Sequence, residues 1–390
     1  MSRRSTVAAL GGAFFNLLAV SPGFGQALLP TVFVANNVGD NIKSFRLNAD
    51  GTLTGIGTFA VGDGPQAISL SPDGRFIAVA HGTVSTTTEE LRILEVNPDG
   101  TLTPRLTTLV PDSPLDTLWV NNTKLAVTKT GSPAHVRMLD WNAAANSLVS
   151  VGTFSTGAFN SSLATTGQFL YANDTTNDNI TAFRVNADGS LTGIEVQSTA
   201  PYFPVNIAAA PGGQFLYAAG GISGDGNRVM GFRINADGSL EPTTPPDFTS
   251  PGESPKNFAF SEDGLYAFVG HGTDATIQSF RVDTATGALT STGFAYDVGL
   301  QGTLGETAVL GDFLFATDNS SAIDGRTGVL SFRIGSDGSL TEIGLFPSEG
   351  GRPDYLAVWP GIPEPGSAAL LAVAVAMQAA FGGRRRRRCG

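Results

Sequence analysis

The strongest constraint on the fold is a short segment that repeats along the chain. Residues 44–54 read Ser-Phe-Arg-Leu-Asn-Ala-Asp-Gly-Thr-Leu-Thr, and residues 182–192 repeat them almost verbatim. Further copies, two of them weaker, lie at residues 93–103, 137–150, 231–241, 279–290 and 331–341. Seven copies spaced about 44–52 residues apart are typical of folds in which every repeat is one small sheet.

Each repeat predicts four short strands, which we name a to d. Strand a is a run of small residues ending at a turn such as Pro72-Asp73-Gly74, and strand b is the apolar run after that turn. Strand c contains the Ser-Phe-Arg segment, and strand d follows the Asn-Ala-Asp-Gly turn. Asp-Gly between alternating apolar residues is a strong hairpin signal. We therefore predict an all-β fold, a seven-bladed β-propeller of four-stranded blades.

The two ends of the repeat array complement each other. Residues 31–36 form a strand b that lacks a preceding strand a, and residues 353–359 form a strand a that lacks a following strand b. Together the two segments complete one blade, which closes the ring and leaves no open sheet face. A solenoid, the alternative repeat architecture, does not need this complementarity.

The first 27 residues have the layout of a secretory signal peptide. Arg3 and Arg4 form a basic start, residues 7–20 are mostly apolar, and small residues precede a predicted cleavage site after Ala27. The alternative is a buried helix of the folded domain. The predicted domains are thus a signal peptide at 1–27, a propeller at 28–361 and a C-terminal segment at 362–390.

The C-terminal segment contains three parts in a fixed order. Pro363, Glu364 and Pro365 precede an apolar stretch at residues 367–381, and a cluster of arginines follows: Arg384, Arg385, Arg386, Arg387 and Arg388. A helix over the apolar stretch spans roughly 22 Å, less than the roughly 30 Å of a hydrocarbon core. We expect a weak, transient inner-membrane anchor whose arginines stay in the cytoplasm.

This three-part order resembles the PEP-CTERM sorting signal of Gram-negative bacteria. The resemblance implies cutting near Pro363 by an exosortase-type enzyme, after a signal peptidase has removed the N-terminus. It also implies localisation in the periplasm, at the cell surface or in the extracellular matrix, with exopolysaccharide or an envelope protein as partner.

The charge of the chain argues against a nucleic acid as partner. Seven of the 23 basic residues are arginines of the two termini, whereas 34 residues are acidic. A body with this acidic excess repels phosphate backbones. The only cysteine is Cys389, so the predicted propeller has neither a disulfide nor a cysteine nucleophile.

The repeat unit, Ser-Pro-Asp-Gly-Arg-Phe followed by Ser-Phe-Arg and Asp-Gly-Thr-Leu-Thr, resembles the lactonase-type seven-bladed propellers. These include bacterial 6-phosphogluconolactonases, fungal carboxymuconate cyclases and the YVTN-repeat surface proteins. The resemblance implies lactone chemistry by His, Arg and Glu side chains at the top of the channel, often with a Pro-His entry to strand a. Here the residues after the corresponding prolines are Gln66, Leu115, Val205, Lys256 and Asp354. None is histidine, so we assign no catalytic residue.

The entries to strand a nevertheless predict a polar ring at the channel mouth. Its predicted members are Gln66, Asp116, Asn160, Asn206, Lys256, Asn257, Glu306 and Asp354. Amides and carboxylates in a ring suit sugar hydroxyls or a cation. The alternative is a hydrated channel that holds no ligand.

No cofactor is predicted apart from a calcium ion at two oxygen-rich loops. Residues 174–179 and 224–227 are rich in Asp and Asn, as calcium loops are, but they lack the strict alternation of such loops. Ordinary turn chemistry is the alternative. His81 and His271 occupy equivalent places in two blades, where capping of a loop is favoured over a metal site.

These features favour a non-enzymatic surface or matrix protein that binds a glycan or an envelope partner. The alternative function is a divergent lactonase in which Asp116, Glu306 or Asp354 replaces the missing histidine. A third function, that of a structural spacer, would be favoured by a shallow pocket.

Overall fold

The computed structural model describes residues 29–82, 90–110, 113–220, 227–298, 304–319 and 327–361. These residues form 28 strands in seven four-stranded antiparallel sheets, which confirms the predicted seven-bladed propeller. The predicted signal peptide and the predicted sorting signal lie outside the described residues. Within the described ranges, no helix has the length and apolarity needed to cross a membrane.

The seven blades follow one another along the chain, and only the first combines both ends. Blade 1 contains β1 (Thr31–Asn36), β2 (Asn41–Leu47), β3 (Leu53–Ala60) and β28 (Pro353–Trp359). Blades 2 to 4 contain β4 (Ala67–Leu70), β5 (Phe76–His81), β6 (Glu90–Val96), β7 (Leu102–Leu109), β8 (Thr117–Trp119), β9 (Lys124–Lys129), β10 (Ala134–Asn142), β11 (Ser147–Gly157), β12 (Leu163–Thr165), β13 (Phe169–Asp174), β14 (Asn179–Val185) and β15 (Leu191–Ser198). Blades 5 to 7 contain β16 (Pro204–Ala209), β17 (Phe215–Gly220), β18 (Arg228–Ile234), β19 (Leu240–Thr249), β20 (Pro255–Phe260), β21 (Tyr266–His271), β22 (Thr276–Val282), β23 (Leu289–Asp297), β24 (Leu304–Leu310), β25 (Phe313–Asp318), β26 (Gly328–Ile334) and β27 (Leu340–Pro347).

The ring closes where the sequence predicts it. β28 pairs with β1 in the sheet order β28-β1-β2-β3, with Val358 opposite Val32 and Leu356 opposite Val34. Val32 and Val34 are fully buried and pack with Phe313 and Phe315 of blade 7. The two chain ends are therefore joined by the same ladder and core that every other blade uses.

Strand direction divides the propeller into two faces. Every strand a enters from one face, which we call the upper face, and the Asp-Gly turns between strands c and d lie on the other, the lower face. In blade 1 the first residue of β1, Thr31, pairs with the last residue of β28, Trp359, whereas Asn36 pairs with Pro353. Both described chain ends consequently lie on the lower face.

The arginine of the repeated Phe-Arg pair joins neighbouring blades at the lower face. The guanidinium of Arg233 lies 4.9 Å from the ring centroid of Phe215 in its own blade and donates to the carbonyl of Ala285 in the next blade, at 2.6 Å. Arg184 and Arg333 make the same two contacts in their blades. These three arginines therefore have a structural role, since each donates to a turn carbonyl of the next blade.

A buried tyrosine makes a parallel link between blades, and its removal is our first prediction. The hydroxyl of Tyr217, a fully buried residue, donates to the carbonyl of Gly287 at 2.8 Å. Tyr217→Phe leaves that carbonyl without its donor and should lower the free energy of unfolding by about 1–2 kcal/mol. Urea denaturation measures the change. Tyr202→Phe serves as the control, and equal losses in both variants would contradict the prediction.

Candidate functional site

A pocket of about 880 Å³ opens at the upper end of the axial channel. Residues from the strand a entries of all seven blades line it, because each strand a is the innermost strand of its blade. Each blade contributes at least one residue; in the order of blades 1 to 7, examples are Tyr355, Gln66, Asp116, Ser161, Asn206, Lys256 and Glu306. A pocket of this size suits a small molecule.

The ladder register defines one equivalent position in every blade, which we call the ring position. It is the residue of strand a that lies opposite the fifth residue of strand b, as Asn206 lies opposite Ala219 and Asn257 opposite Gly270. In blades 1, 2, 5 and 6 the ladders place Tyr355, Ala67, Asn206 and Asn257 at the ring position. In blades 3, 4 and 7 the position is held by Asp116, Ser162 and Glu306, because the carbonyl of each accepts a hydrogen bond from the fifth residue of strand b. Six of these seven side chains carry a polar group, and two of the six are acids.

The structure brings seven of the eight predicted channel-mouth residues together in this pocket. They are Gln66, Asp116, Asn206, Lys256, Asn257, Glu306 and Asp354. Asn160 does not line it: the residue is fully buried, and its Nδ2 lies 3.4 Å from Thr156 Oγ1. Asn160 occupies the place that proline holds in neighbouring blade 5, two residues before the ring position, and so falls outside the pocket wall.

Asp116 lies deep in the pocket with its carboxylate turned to backbone donors. One oxygen accepts from the N–H of Thr117 at 2.7 Å, and the other accepts from the N–H of Leu163, in blade 4, at 2.8 Å. Burial raises the pKa of this carboxyl to about 7, although the two N–H groups favour the ionised form. Asp116 therefore links two blades and titrates near neutral pH.

Glu306 makes the corresponding link on the far side of the ring. Its Oε2 accepts from the N–H of Leu356, in blade 1, at 2.7 Å. Burial raises the pKa of Glu306 to about 8; the carboxyl of Asp116 across the pocket adds to this rise, and the N–H of Leu356 and the ammonium of Lys256 oppose it.

Two cationic side chains line the same pocket: Arg352 forms an ion pair, whereas Lys256 forms none within the described ranges. Arg352 Nε lies 3.0 Å from Asp354 Oδ2, and Asp354 Oδ1 also accepts from Asn319 Nδ2 at 2.6 Å. Lys256, by contrast, is exposed and has no ion pair among the residues that the structure describes. Lys256 is thus the cation of the pocket that is available to a ligand.

The amides of the pocket also divide into paired and available groups. Asn257 is buried and holds blade 7, since its Nδ2 donates to the Gly305 carbonyl and its Oδ1 accepts from Thr307. The side chains of Gln66 and Asn206 are partly exposed and make no hydrogen bond within the described ranges. Available amides of this kind are suited to ligand hydroxyls.

Sequence reasoning missed the aromatic residues of the pocket. Phe159, Phe203 and Tyr355 line it and are only partly exposed. Burial raises the pKa of the Tyr355 hydroxyl, so it remains a proton donor at neutral pH. The signal that could have revealed the two phenylalanines is their position, because they stand where other blades have Gly, Ser or Arg at the entry to strand a.

The structure shows turn chemistry at the first oxygen-rich loop. The carboxylate of Asp174 accepts from the N–H groups of Ala158, Phe159 and Thr176, and from Asn177. Loop residues 224–226 lie outside the described residues. Within the described ranges no three His, Cys, Asp or Glu side chains are arranged to hold a metal.

The two histidines in equivalent strand-b positions are both buried. His271 Nε2 lies 2.6 Å from Ser250 Oγ, and its Nδ1 lies 3.2 Å from the Thr276 carbonyl, so it fixes the surrounding loops. Burial lowers the pKa of both His81 and His271 and favours their neutral forms. Neither lines the axial pocket.

Comparisons with known proteins agree with the fold and the family resemblance. Residues 133–244 and 224–303 match the family model described as lactonase, 7-bladed beta-propeller. A provisionally assigned 6-phosphogluconolactonase of Bacteroides uniformis aligns with a TM-score of 0.71 at 16% identity, over 85% of this chain and 99% of that one. The periplasmic gluconolactonase PpgL of Pseudomonas aeruginosa aligns with a TM-score of 0.69 at 20% identity, over 86% and 99% of the chains.

A protein that is not described as a lactonase also has this fold. Apo AztD from Citrobacter koseri aligns with a TM-score of 0.61 at 13% identity, over 87% of this chain and 99% of that one. No curated protein matches the sequence. At these identities the structural likenesses show the architecture, and the chemistry has to be argued from the pocket itself.

Proposed function

We propose that this chain, a seven-bladed β-propeller of the lactonase type, binds a sugar-type ligand in its axial pocket. The observation that carries the proposal is the set of available polar groups, Gln66, Asn206 and Lys256, contributed by three different blades to one pocket. Amides and an ammonium group supply donors and acceptors to several hydroxyls at once, and fixed strands hold them in place.

We further propose that binding takes place outside the cytoplasm. This part rests on the sequence patterns at 1–27 and 362–390, which favour export by a signal peptidase and processing by an exosortase-type enzyme. The protein would then act at the cell surface or in the matrix, on exopolysaccharide or an envelope glycan. Detection of the mature chain in cell fractions, with and without the arginine cluster, tests this localisation.

Combined replacement of the available polar groups tests the binding proposal. Gln66→Ala, Asn206→Ala and Lys256→Ala together should weaken binding to exopolysaccharide at least about tenfold, because each loses a hydrogen bond worth about 0.5–1.5 kcal/mol. A pull-down assay measures this. Gln168→Ala with Gln214→Ala, on lower-face turns, is the matched control. Unchanged binding by the triple variant would show that the site lies elsewhere.

A second candidate function is hydrolysis of a sugar lactone. Its specific support is that Asp116 and Glu306, with raised pKa values, line one pocket. In this reaction ionised Asp116 takes a proton from water as the water oxygen attacks the lactone carbonyl carbon. Protonated Glu306 then gives its proton to the ring oxygen as the ester C–O bond breaks, which leaves a hydroxy acid.

The hydrolysis candidate predicts a bell-shaped pH profile. Because the base has the lower pKa and the acid the higher one, kcat/KM should peak between about 7 and 8. Glu306→Gln should lower kcat about 100-fold or more, since it removes the proton donor. A pH-stat assay on gluconolactones measures both effects. Turnover no faster than the uncatalysed reaction would eliminate this candidate and leave the binding proposal intact.

A further inference from the structure

Two adjacent blades differ from the others at the pocket, and the difference lies three residues before the ring position. In blades 4 and 5 this residue is phenylalanine, Phe159 and Phe203. In the other blades that the structure describes there, the residue has a left-handed backbone: Gly64 (φ 57°), Ser113 (φ 45°), Ser254 (φ 57°) and Arg352 (φ 56°). Two adjacent blades thus break the repeat by presenting a flat apolar ring.

Both rings are positioned to meet a ligand. Phe159 and Phe203 line the pocket and keep part of their surface open, whereas a core phenylalanine such as Phe268 is fully buried. The N–H of Phe159 is held by the carboxylate of Asp174, which fixes the backbone below the ring. A partly open aromatic surface on a fixed backbone is a suitable platform for a flat apolar group.

The blades that follow the two aromatic ones contribute charged groups to the pocket. Blade 6, next to Phe203, contributes Lys256, and blades 7 and 1 contribute Glu306 and the pair Arg352–Asp354. Arg352 is matched by Asp354, and Glu306 remains largely protonated at neutral pH. The positive charge of Lys256 is therefore not cancelled, and it favours an anionic group beside it.

We propose that the ligand is a sugar acid that carries a flat apolar substituent, with the substituent on Phe159 and Phe203 and the carboxylate at Lys256. The size of the pocket supports this, because about 880 Å³ lies near the upper end for small-molecule sites and exceeds what one sugar ring fills. The inference rests on the proposed sugar-binding function and specifies the ligand class.

Four small probes separate the two features of this ligand. They are phenyl β-D-glucuronide, methyl β-D-glucuronide, phenyl β-D-glucoside and methyl β-D-glucoside, each titrated calorimetrically into the full chain at pH 7. The phenyl group should improve affinity about tenfold through aromatic contact, and the carboxylate about fivefold through Lys256. Phenyl β-D-glucuronide should therefore bind most tightly.

Substitutions show which residue is responsible for each gain in affinity. Phe159→Ser with Phe203→Ser should remove the phenyl advantage and keep the carboxylate advantage, whereas Lys256→Met should do the reverse. Phe159→Tyr with Phe203→Tyr should retain the phenyl advantage, which separates lost contact from lost folding. Phe294→Ser, at a residue 41% exposed on the outer strand β23, is the matched control.

The outcomes distinguish the inference from the function it builds on. Equal affinity for phenyl and methyl glycosides, or an advantage that survives the serine variants, overturns the inference while sugar binding stands. Binding of no probe overturns both for this class of ligand. Loss of every affinity in Phe159→Tyr with Phe203→Tyr would also overturn it, because that variant keeps the aromatic surface.

Discussion

A chain that ends at Gly351, and so lacks β28, is expected not to fold cooperatively. β28 pairs with β1 along its whole length and covers the buried side chains of Phe33 and Val34. Losing this ladder and its apolar contacts costs on the order of 10 kcal/mol. The whole free energy of unfolding of a domain is about 5–15 kcal/mol. Urea denaturation should show a broad, non-cooperative transition.

The matched control is a chain that ends at Gly361, which keeps the closing strand. This chain should unfold in one sharp transition, because every described strand is present. Addition of a synthetic peptide of residues 352–361 to the shorter chain should restore part of the cooperativity. A shorter chain as stable as its control would contradict the role of ring closure in stability.

Glu306→Gln is expected to stabilise the protein at alkaline pH. The pKa of Glu306 is about 8 in the folded chain and about 4.3 in an unfolded one. The folded state therefore holds this proton more tightly, and stability falls as the pH rises from about 4 to about 8, then levels off. Glutamine does not ionise, and it still offers an oxygen to the N–H of Leu356.

The difference between variant and parent should grow with pH. At about 1.4 kcal/mol per pKa unit, the difference of roughly 3.7 units should give the variant a gain on the order of 5 kcal/mol at pH 9, and about 1 kcal/mol at pH 5. Urea unfolding at pH 5, 7 and 9 measures this. Glu241→Gln, at an exposed residue on β19, should change stability at none of these pH values. A gain independent of pH would show that ionisation of Glu306 is not its cause.

The sequence was sufficient to predict the fold because each blade repeats its own turn chemistry. Asp-Gly turns set the register of strands c and d, and the incomplete first and last units located the closing blade between β1 and β28. The two weaker copies, at 93–103 and 137–150, also form strands c and d of their blades. Local signals were strong enough here that no long-range information was needed.

The site was less accessible to sequence reasoning, because the inner strands are irregular. The register between strands a and b shifts at Pro204/Asn206, at Pro255/Asn257 and at Leu304/Thr307. Such bulges redirect side chains, so strict alternation no longer tells which residue points to the channel. Blade 4 also lacks the proline that marks the entry in five other blades; Asn160 stands at that place, and Ser161 and Ser162 line the pocket after it.

The two described chain ends lie on the face of the propeller that is opposite the pocket mouth. Thr31 and Trp359 meet at the lower face, a full strand length from the pocket residues Asp354 and Tyr355. The described chain therefore enters and leaves the propeller on the face opposite the pocket mouth. A domain fused directly to either of these described ends would leave the mouth of the pocket uncovered.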